Sequence, residues 1–89
     1  MGKVAVHVSS ILHEYTGGAN ELHATGATVR QVLENIEARH KGLLFRIVDE
    51  QDSIRTHIKI YVGGNQIQSL AAKVPEGSEV HILQALSGG

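Results

Sequence analysis

Residues 28–42, TVRQVLENIEARHKG, have the pattern of one amphipathic helix, and this segment decides the predicted fold. Thr28 is a candidate N-cap, and Gln31 stands three residues later, as in a capping box. The apolar residues that follow at helical spacing are Val29, Val32, Leu33 and Ile36. Lys41 and Gly42 favour a helix end, because a cation suits the last carbonyls and glycine accepts positive φ. A helix with one apolar face must pack on a second layer.

Segments with strand periodicity flank this helix on both sides. Before it, residues 3–8 alternate as a half-buried strand, and residues 21–24 are a candidate returning strand. After it, residues 57–62 and 79–84 alternate in the same way, with turns at residues 63–65 and 74–78. Residues 9–20 are predicted to be a loop. The run LLFRIV that follows the helix is too short for periodicity to separate strand from helix.

This order of elements predicts an α+β fold, in which a mixed sheet carries one main helix on one face. If the first and last strands are parallel neighbours, the helix region supplies the long crossover that they need. The apolar stripe of the helix is then expected to pack on the inward residues Val4, Val6, Ile58, Ile60, Val80 and Ile82. We expect residues 1–84 to form the domain and residues 85–89 a flexible tail.

Composition excludes several classes of function. A chain of 89 residues, 42% apolar and 19% charged, has the balance of one globular domain and is too short for a multidomain enzyme. A net charge of -1 and only three aromatic residues, two tyrosines and one phenylalanine, argue against nucleic acid and membrane partners. The absence of cysteine excludes disulfides and thiolate chemistry in this chain. No secretion signal or membrane span is recognisable, so a cytoplasmic location is expected.

The histidines and carboxylates are the candidates for catalytic or metal-binding residues. His7, His57 and His81 fall on the outward phase of three predicted strands, so a three-histidine metal site is geometrically conceivable. Outward strand positions normally carry polar residues, however, and no histidine pair has a tight ligand spacing with a carboxylate. Glu34 and Glu37 are interpreted as a solvated helix face without a nucleophile beside them. The sequence therefore predicts neither a metal site nor a catalytic residue.

The last five residues, ALSGG, suit insertion into another protein. Five extended residues reach about 17 Å, which is far enough to thread a narrow channel. Glycine lacks a Cβ, so its backbone passes between close walls and leaves the terminal carboxylate unhindered. The alternative is a frayed terminus without a role. Composition and position alone leave both interpretations open.

Three stretches, together with Gly88 and Gly89, resemble the ubiquitin-like β-grasp sulfur carriers. This group includes the small subunit of molybdopterin synthase and the thiocarboxylated carriers of thiazole and cysteine synthesis. The stretches are TVRQVL at residues 28–33, IKIYVGGNQI at 58–67 and VPEGSEVHIL at 74–83. The resemblance favours a short helical segment at residues 43–48. The chain departs from the group at Gly63, where asparagine is usual, and at Ser87, where alanine often precedes the two glycines.

The resemblance implies that Gly89 is the reactive position. In that family an adenylyltransferase of the ubiquitin-activating type uses ATP to adenylate the terminal carboxylate. A sulfurtransferase or sulfide then converts the adenylate to a thiocarboxylate, which a sulfur-accepting enzyme uses. Leu86, Ser87, Gly88 and Gly89 would enter the partner. The chain itself is expected to bind no cofactor, since ATP belongs to the activating enzyme.

The outward sheet face is the predicted docking surface, with Ala5, Lys59, Tyr61 and Leu83 as the interface. The alternative for Tyr61 and Leu83 is scattered exposure without a partner. Two other functions remain open at this point. One is a protein modifier joined to lysine through Gly89, and the other is a noncovalent binding module or the small subunit of molybdopterin synthase.

Overall fold

The computed structural model describes residues 3–84. Within them lie five strands, two α-helices and one 3-10 helix. The strands are β1 (Lys3–Val8), β2 (Glu21–Thr25), β3 (Ile58–Val62), β4 (Asn65–Ile67) and β5 (Glu79–Gln84). The helices are α1 (Val29–Glu37) and α2 (Leu43–Ile47), and the 3-10 helix spans Ser10–Tyr15.

The strands form one mixed sheet in the order β2-β1-β5-β3-β4. The central strands β1 and β5 are parallel, and the other neighbouring pairs are antiparallel. The predicted α+β class, with a mixed sheet and one main helix on one face, is confirmed. The first and last strands are parallel neighbours, the arrangement that the sequence left as a condition, and the connection between them contains both helices.

The core lies between α1 and the inner face of the sheet. All the residues predicted to pack there are buried. They are Val32, Leu33 and Ile36 from α1, and Val4, Val6, Ile58, Ile60, Val80 and Ile82 from the strands. Alternation along each strand therefore assigned the inner face correctly.

Local hydrogen bonds fix the start of α1. The Thr28 hydroxyl oxygen accepts from the Gln31 N–H at 3.3 Å, as the sequence predicts for an N-cap. The Gln31 side-chain oxygen accepts from the Ala27 N–H at 2.8 Å, one residue before the position that a capping box would use. Gly26 has φ 156°, and a Cβ there would lie 2.7 Å from the Val32 backbone nitrogen. Glycine thus permits β2 to turn tightly into α1.

The end of α1 differs from the prediction. The helix ends at Glu37, several residues before the expected end at Lys41 and Gly42. Gly42 does take a positive φ, 95°, but it stands immediately before α2. The prediction of a positive φ at Gly42 was therefore right, but the prediction that α1 ends there was wrong.

Glu37 explains why the chain turns here. Its carboxylate accepts from the Gly42 N–H and the Leu44 N–H, each at 2.9 Å. These two backbone hydrogen bonds hold the pKa of Glu37 below its ordinary value. The carboxylate thus ties the end of α1 to the first turn of α2. Glu37 was interpreted as part of a solvated helix face, but it is half-buried and its carboxylate is engaged by these two amides.

The structure also gives the conformation of two segments that periodicity did not assign correctly or at all. Residues 43–48 contain α2, as the family resemblance indicated. Residues 9–20, predicted to be a loop, contain the 3-10 helix, and Leu12 within it is fully buried. This segment therefore covers part of the core. Neither α-helix of the described residues is long and apolar enough to cross a bilayer.

Candidate functional site

The face of the sheet opposite the helices carries the predicted site residues. One row crosses all five strands through directly paired positions, and it runs Glu21, His7, His81, Tyr61 and Gln66. Residues paired across neighbouring strands point to the same side of a sheet. All five side chains of the row are half-buried or exposed. The fold therefore presents them as one continuous outer face.

The predicted interface residues are only partly together on this face. Lys59 on β3 pairs directly with Leu83 on β5, and Tyr61 lies two positions along the same strand. Leu83 is 44% exposed, which is high for a leucine in a central strand. Ala5 pairs with Glu79, four positions along β5 from Leu83, which places it about 13 Å away. We call Lys59, Tyr61 and Leu83 the β3–β5 patch.

The other half of the face is built from histidines and carboxylates. The rings of His7 and His81 stack with centroids 4.5 Å apart and an interplanar angle of 15°. Glu79 Oε1 lies 3.1 Å from His7 Nε2 and 3.6 Å from His81 Nε2. Of the three histidines weighed from the sequence, His57 lies just before β3 and outside this group. The structure thus combines two of them with a carboxylate that sequence reasoning did not consider.

A second carboxylate borders this group on β2. Glu21 Oε1 lies 3.8 Å from His7 Nδ1, and Glu21 Oε2 lies 3.3 Å from His23 Nε2. Carboxylates and imidazoles therefore alternate over the β2, β1 and β5 part of the face. With neutral histidines this half is acidic, whereas Lys59 places a positive charge on the other half.

The described part of the chain ends on β5. β5 lies between β1 and β3, and its last residue, Gln84, is the last one that the structure describes. Leu86, Ser87, Gly88 and Gly89, predicted to enter a partner, lie outside the described residues. The division into a domain of residues 1–84 and a tail of residues 85–89 stays a prediction.

The mixed sheet, the crossover helix and the outer face together define a ubiquitin-like β-grasp protein. The ThiS family profile matches residues 6–89, and the chain belongs to this family. The sulfur carrier protein CysO of Mycobacterium tuberculosis is 32% identical over 91 residues, which cover 97% of this chain and 98% of the relative. These relationships confirm the predicted class, a ubiquitin-like sulfur carrier.

Two solved structures illustrate the shared fold. The matched chain in the crystal structure of the Amycolatopsis orientalis BexX/CysO complex has a TM-score of 0.90 and 35% identity, and the match covers 97% of this chain and 99% of that one. SAMP1 from Haloferax volcanii has a TM-score of 0.83 and 22% identity, and the match covers 99% of this chain and 100% of that one. The likeness to SAMP1 supports the fold alone.

Proposed function

We propose that this protein carries sulfur as a thiocarboxylate on Gly89 and delivers it to an acceptor bound by a partner enzyme. The observation that carries this proposal is the family match, which runs through Gly89. Similarity to a sulfur carrier protein over 97% of the chain supports the same function. The acceptor is a small molecule, such as a cofactor precursor or an activated amino acid.

The chemistry proceeds in two steps at the same carboxylate. A Gly89 carboxylate oxygen attacks the α-phosphorus of ATP, pyrophosphate leaves, and an acyl-adenylate forms. Hydrosulfide then attacks the acyl carbon, the C–O bond to AMP breaks and AMP leaves, and loss of the sulfur-bound proton gives the thiocarboxylate. The adenylyltransferase supplies the Mg²⁺ and cationic groups that stabilise the phosphoryl charge. We expect both steps to take place in the cytoplasm.

The chain contributes binding and positioning to these transfers. It contains no cysteine, so it has no thiol of its own to attack the activated acyl group. An adenylate on Gly89 can therefore react with the partner's sulfur donor without competition from an internal thioester. The protein acts as a cosubstrate and is expected to show no turnover by itself.

Intact mass spectrometry tests this proposal. The purified chain is incubated with a ubiquitin-activating-type adenylyltransferase of the same source, ATP and sulfide. We expect a gain of about 16 Da, the difference between one sulfur and one oxygen atom. Omission of ATP is the control and should prevent the gain. Higher-mass conjugates to lysine, without the thiocarboxylate, would contradict a sulfur carrier and indicate a protein modifier.

We further propose that the β3–β5 patch contacts the activating enzyme. The patch combines an exposed leucine, a tyrosine and a lysine, a common composition at the centre and rim of a protein interface. The relative from Amycolatopsis orientalis was crystallised in a complex with BexX, which supports a protein partner for this fold. Ala5 stays a predicted contact, at the edge of such an interface.

A charge placed in the β3–β5 patch should weaken loading through binding. Leu83→Asp is expected to raise the KM for the carrier about tenfold or more. The partner would bury the leucine on binding, and in the variant it would have to desolvate a carboxylate instead. The kcat should change little. Initial rates of carrier-dependent AMP formation measure both constants.

Ile11→Asp is the matched control for this variant. Ile11 is 41% exposed, close to the 44% of Leu83, but it lies on the 3-10 helix, whose Leu12 is buried, and not on β3 or β5. Its KM should equal that of the unmodified chain. Equal effects of the two variants would contradict the assignment of the patch.

A further inference from the structure

We propose that His7, His81 and Glu79 form a binding site for one divalent transition-metal ion of the zinc type. One ligand atom from each residue lies within 4.8 Å of the other two. In a tetrahedral zinc site with bonds near 2.1 Å, neighbouring ligand atoms are about 3.4 Å apart. Glu79 Oε1 already lies 3.1 Å and 3.6 Å from the two imidazole Nε2 atoms. The two imidazole planes are stacked at 15° with centroids 4.5 Å apart, so their in-plane lone pairs run nearly parallel, and the rings must rotate on binding for both Nε2 atoms to face one ion.

The strands hold this group in place. His7 and His81 are direct partners in the parallel pair β1 and β5, and Glu79 projects from the same face two positions before His81. Their side chains are 31%, 42% and 63% exposed in the order His7, His81, Glu79, so an ion can reach them from solvent. Because both strands are central in the sheet, the ligand positions do not depend on a loop.

An outer carboxylate supports the same assignment. If Nε2 of His7 binds the ion, Nδ1 carries the proton, and Glu21 Oε1 lies 3.8 Å from that nitrogen. That distance is too long for a hydrogen bond, and a Glu21 carboxylate that moved to within about 3.2 Å would orient the metal-bound imidazole and increase its basicity. Glu21 also carries a negative charge that favours a cation on this part of the face.

The donor set defines the class of ion. Two imidazole nitrogens and one carboxylate oxygen suit Zn²⁺ and related transition metals, whereas Mg²⁺ and Ca²⁺ prefer oxygen ligands alone. Three protein ligands leave at least one position for water or for a group from a partner on the same face. This site is independent of sulfur loading on Gly89.

Isothermal titration calorimetry with zinc chloride tests the site. The untagged chain of 89 residues is titrated at pH 7.5 in a non-chelating buffer, and we expect one Zn²⁺ per chain. Loss of a ligand in His81→Gln should weaken binding more than about 100-fold, and Glu21→Gln should weaken it about 10-fold. His57→Gln is the matched control, since His57 lies outside the group, and it should bind Zn²⁺ with unchanged affinity.

Three outcomes would overturn the proposal. They are a His81→Gln variant that binds as tightly as the unmodified chain, an equal loss in His57→Gln, and no binding at zinc concentrations up to about 1 mM. Thermal melts in EDTA establish that each variant is folded, because these positions lie on the outer face. A chain lacking Gly89 should bind Zn²⁺ normally, which separates this test from the test of sulfur loading.

Discussion

Deletion of Gly89 is expected to abolish sulfur loading while leaving the domain folded. The deletion moves the terminal carboxylate to Gly88 and shortens the reach of the tail by about 3.4 Å. A displacement of only about 1 Å between reacting groups can cost about 100-fold in rate. The carboxylate of Gly88 would therefore lie too far from the α-phosphorus of ATP in the activating enzyme. Intact mass spectrometry should detect no sulfur on the shortened chain under conditions that load the complete chain.

The control for this deletion keeps the length of the tail. Ser87→Ala creates the Ala-Gly-Gly end that is frequent in sulfur carriers and should load at nearly the normal rate. Thermal melts of both variants should match that of the unmodified chain, because among residues 3–84 the buried core is already complete around one helix and the sheet, from Val4 to Ile82. Normal loading of the shortened chain would contradict Gly89 as the reacting residue.

Ile60→Ala is expected to cost about 2–5 kcal/mol of folding free energy. Ile60 is fully buried on β3, and it pairs with Ile82 on β5 and Ile67 on β4. A small domain has about 5–15 kcal/mol in total, so this change removes a large share of its stability. The melting temperature should fall by about 10 °C or more. Urea unfolding followed by circular dichroism gives the free energy directly.

Lys59→Ala is the matched control, because it changes the neighbouring position on the same strand. Lys59 points to the outer face and is exposed, so its truncation should change the free energy of unfolding by less than about 0.5 kcal/mol. Equal effects at the two positions would show that the inner and outer faces of β3 are wrongly assigned. This experiment does not depend on the function of the tail.

The sequence predicted the core well because an element that is buried on one side has apolar residues at regular spacing. Strand β5 was predicted with the bounds that the structure has, Glu79–Gln84, since buried Val80 and Ile82 alternate with the polar residues Glu79 and His81. The start of α1 was equally clear, because Thr28 supplies a local cap. Where a signal is local in the chain, the sequence is sufficient to predict the element.

Prediction failed where a side chain's contact with backbone or core decides the structure. The end of α1 depends on Glu37, whose carboxylate binds amides of the following turn. The 3-10 helix places Leu12 in the core, where it is fully buried. Neither contact leaves a periodic pattern. Residues 43–48 were assigned through the family resemblance, because six residues are too few for a helical period to emerge.

The sequence by itself determined which side chains of α1 and the strands face the core, the order of α1 and the main strands, and the Gly88-Gly89 end that suggested a carrier. Only the tertiary structure decided which outer residues meet. His7 and Glu79 are 72 positions apart, and they contact each other because β1 and β5 pair in parallel in one register. Periodicity specifies the side of a strand on which a residue lies, but the neighbouring strand and its register depend on packing of the whole sheet. The grouping of His7, His81 and Glu79 therefore could not be predicted from their own segments.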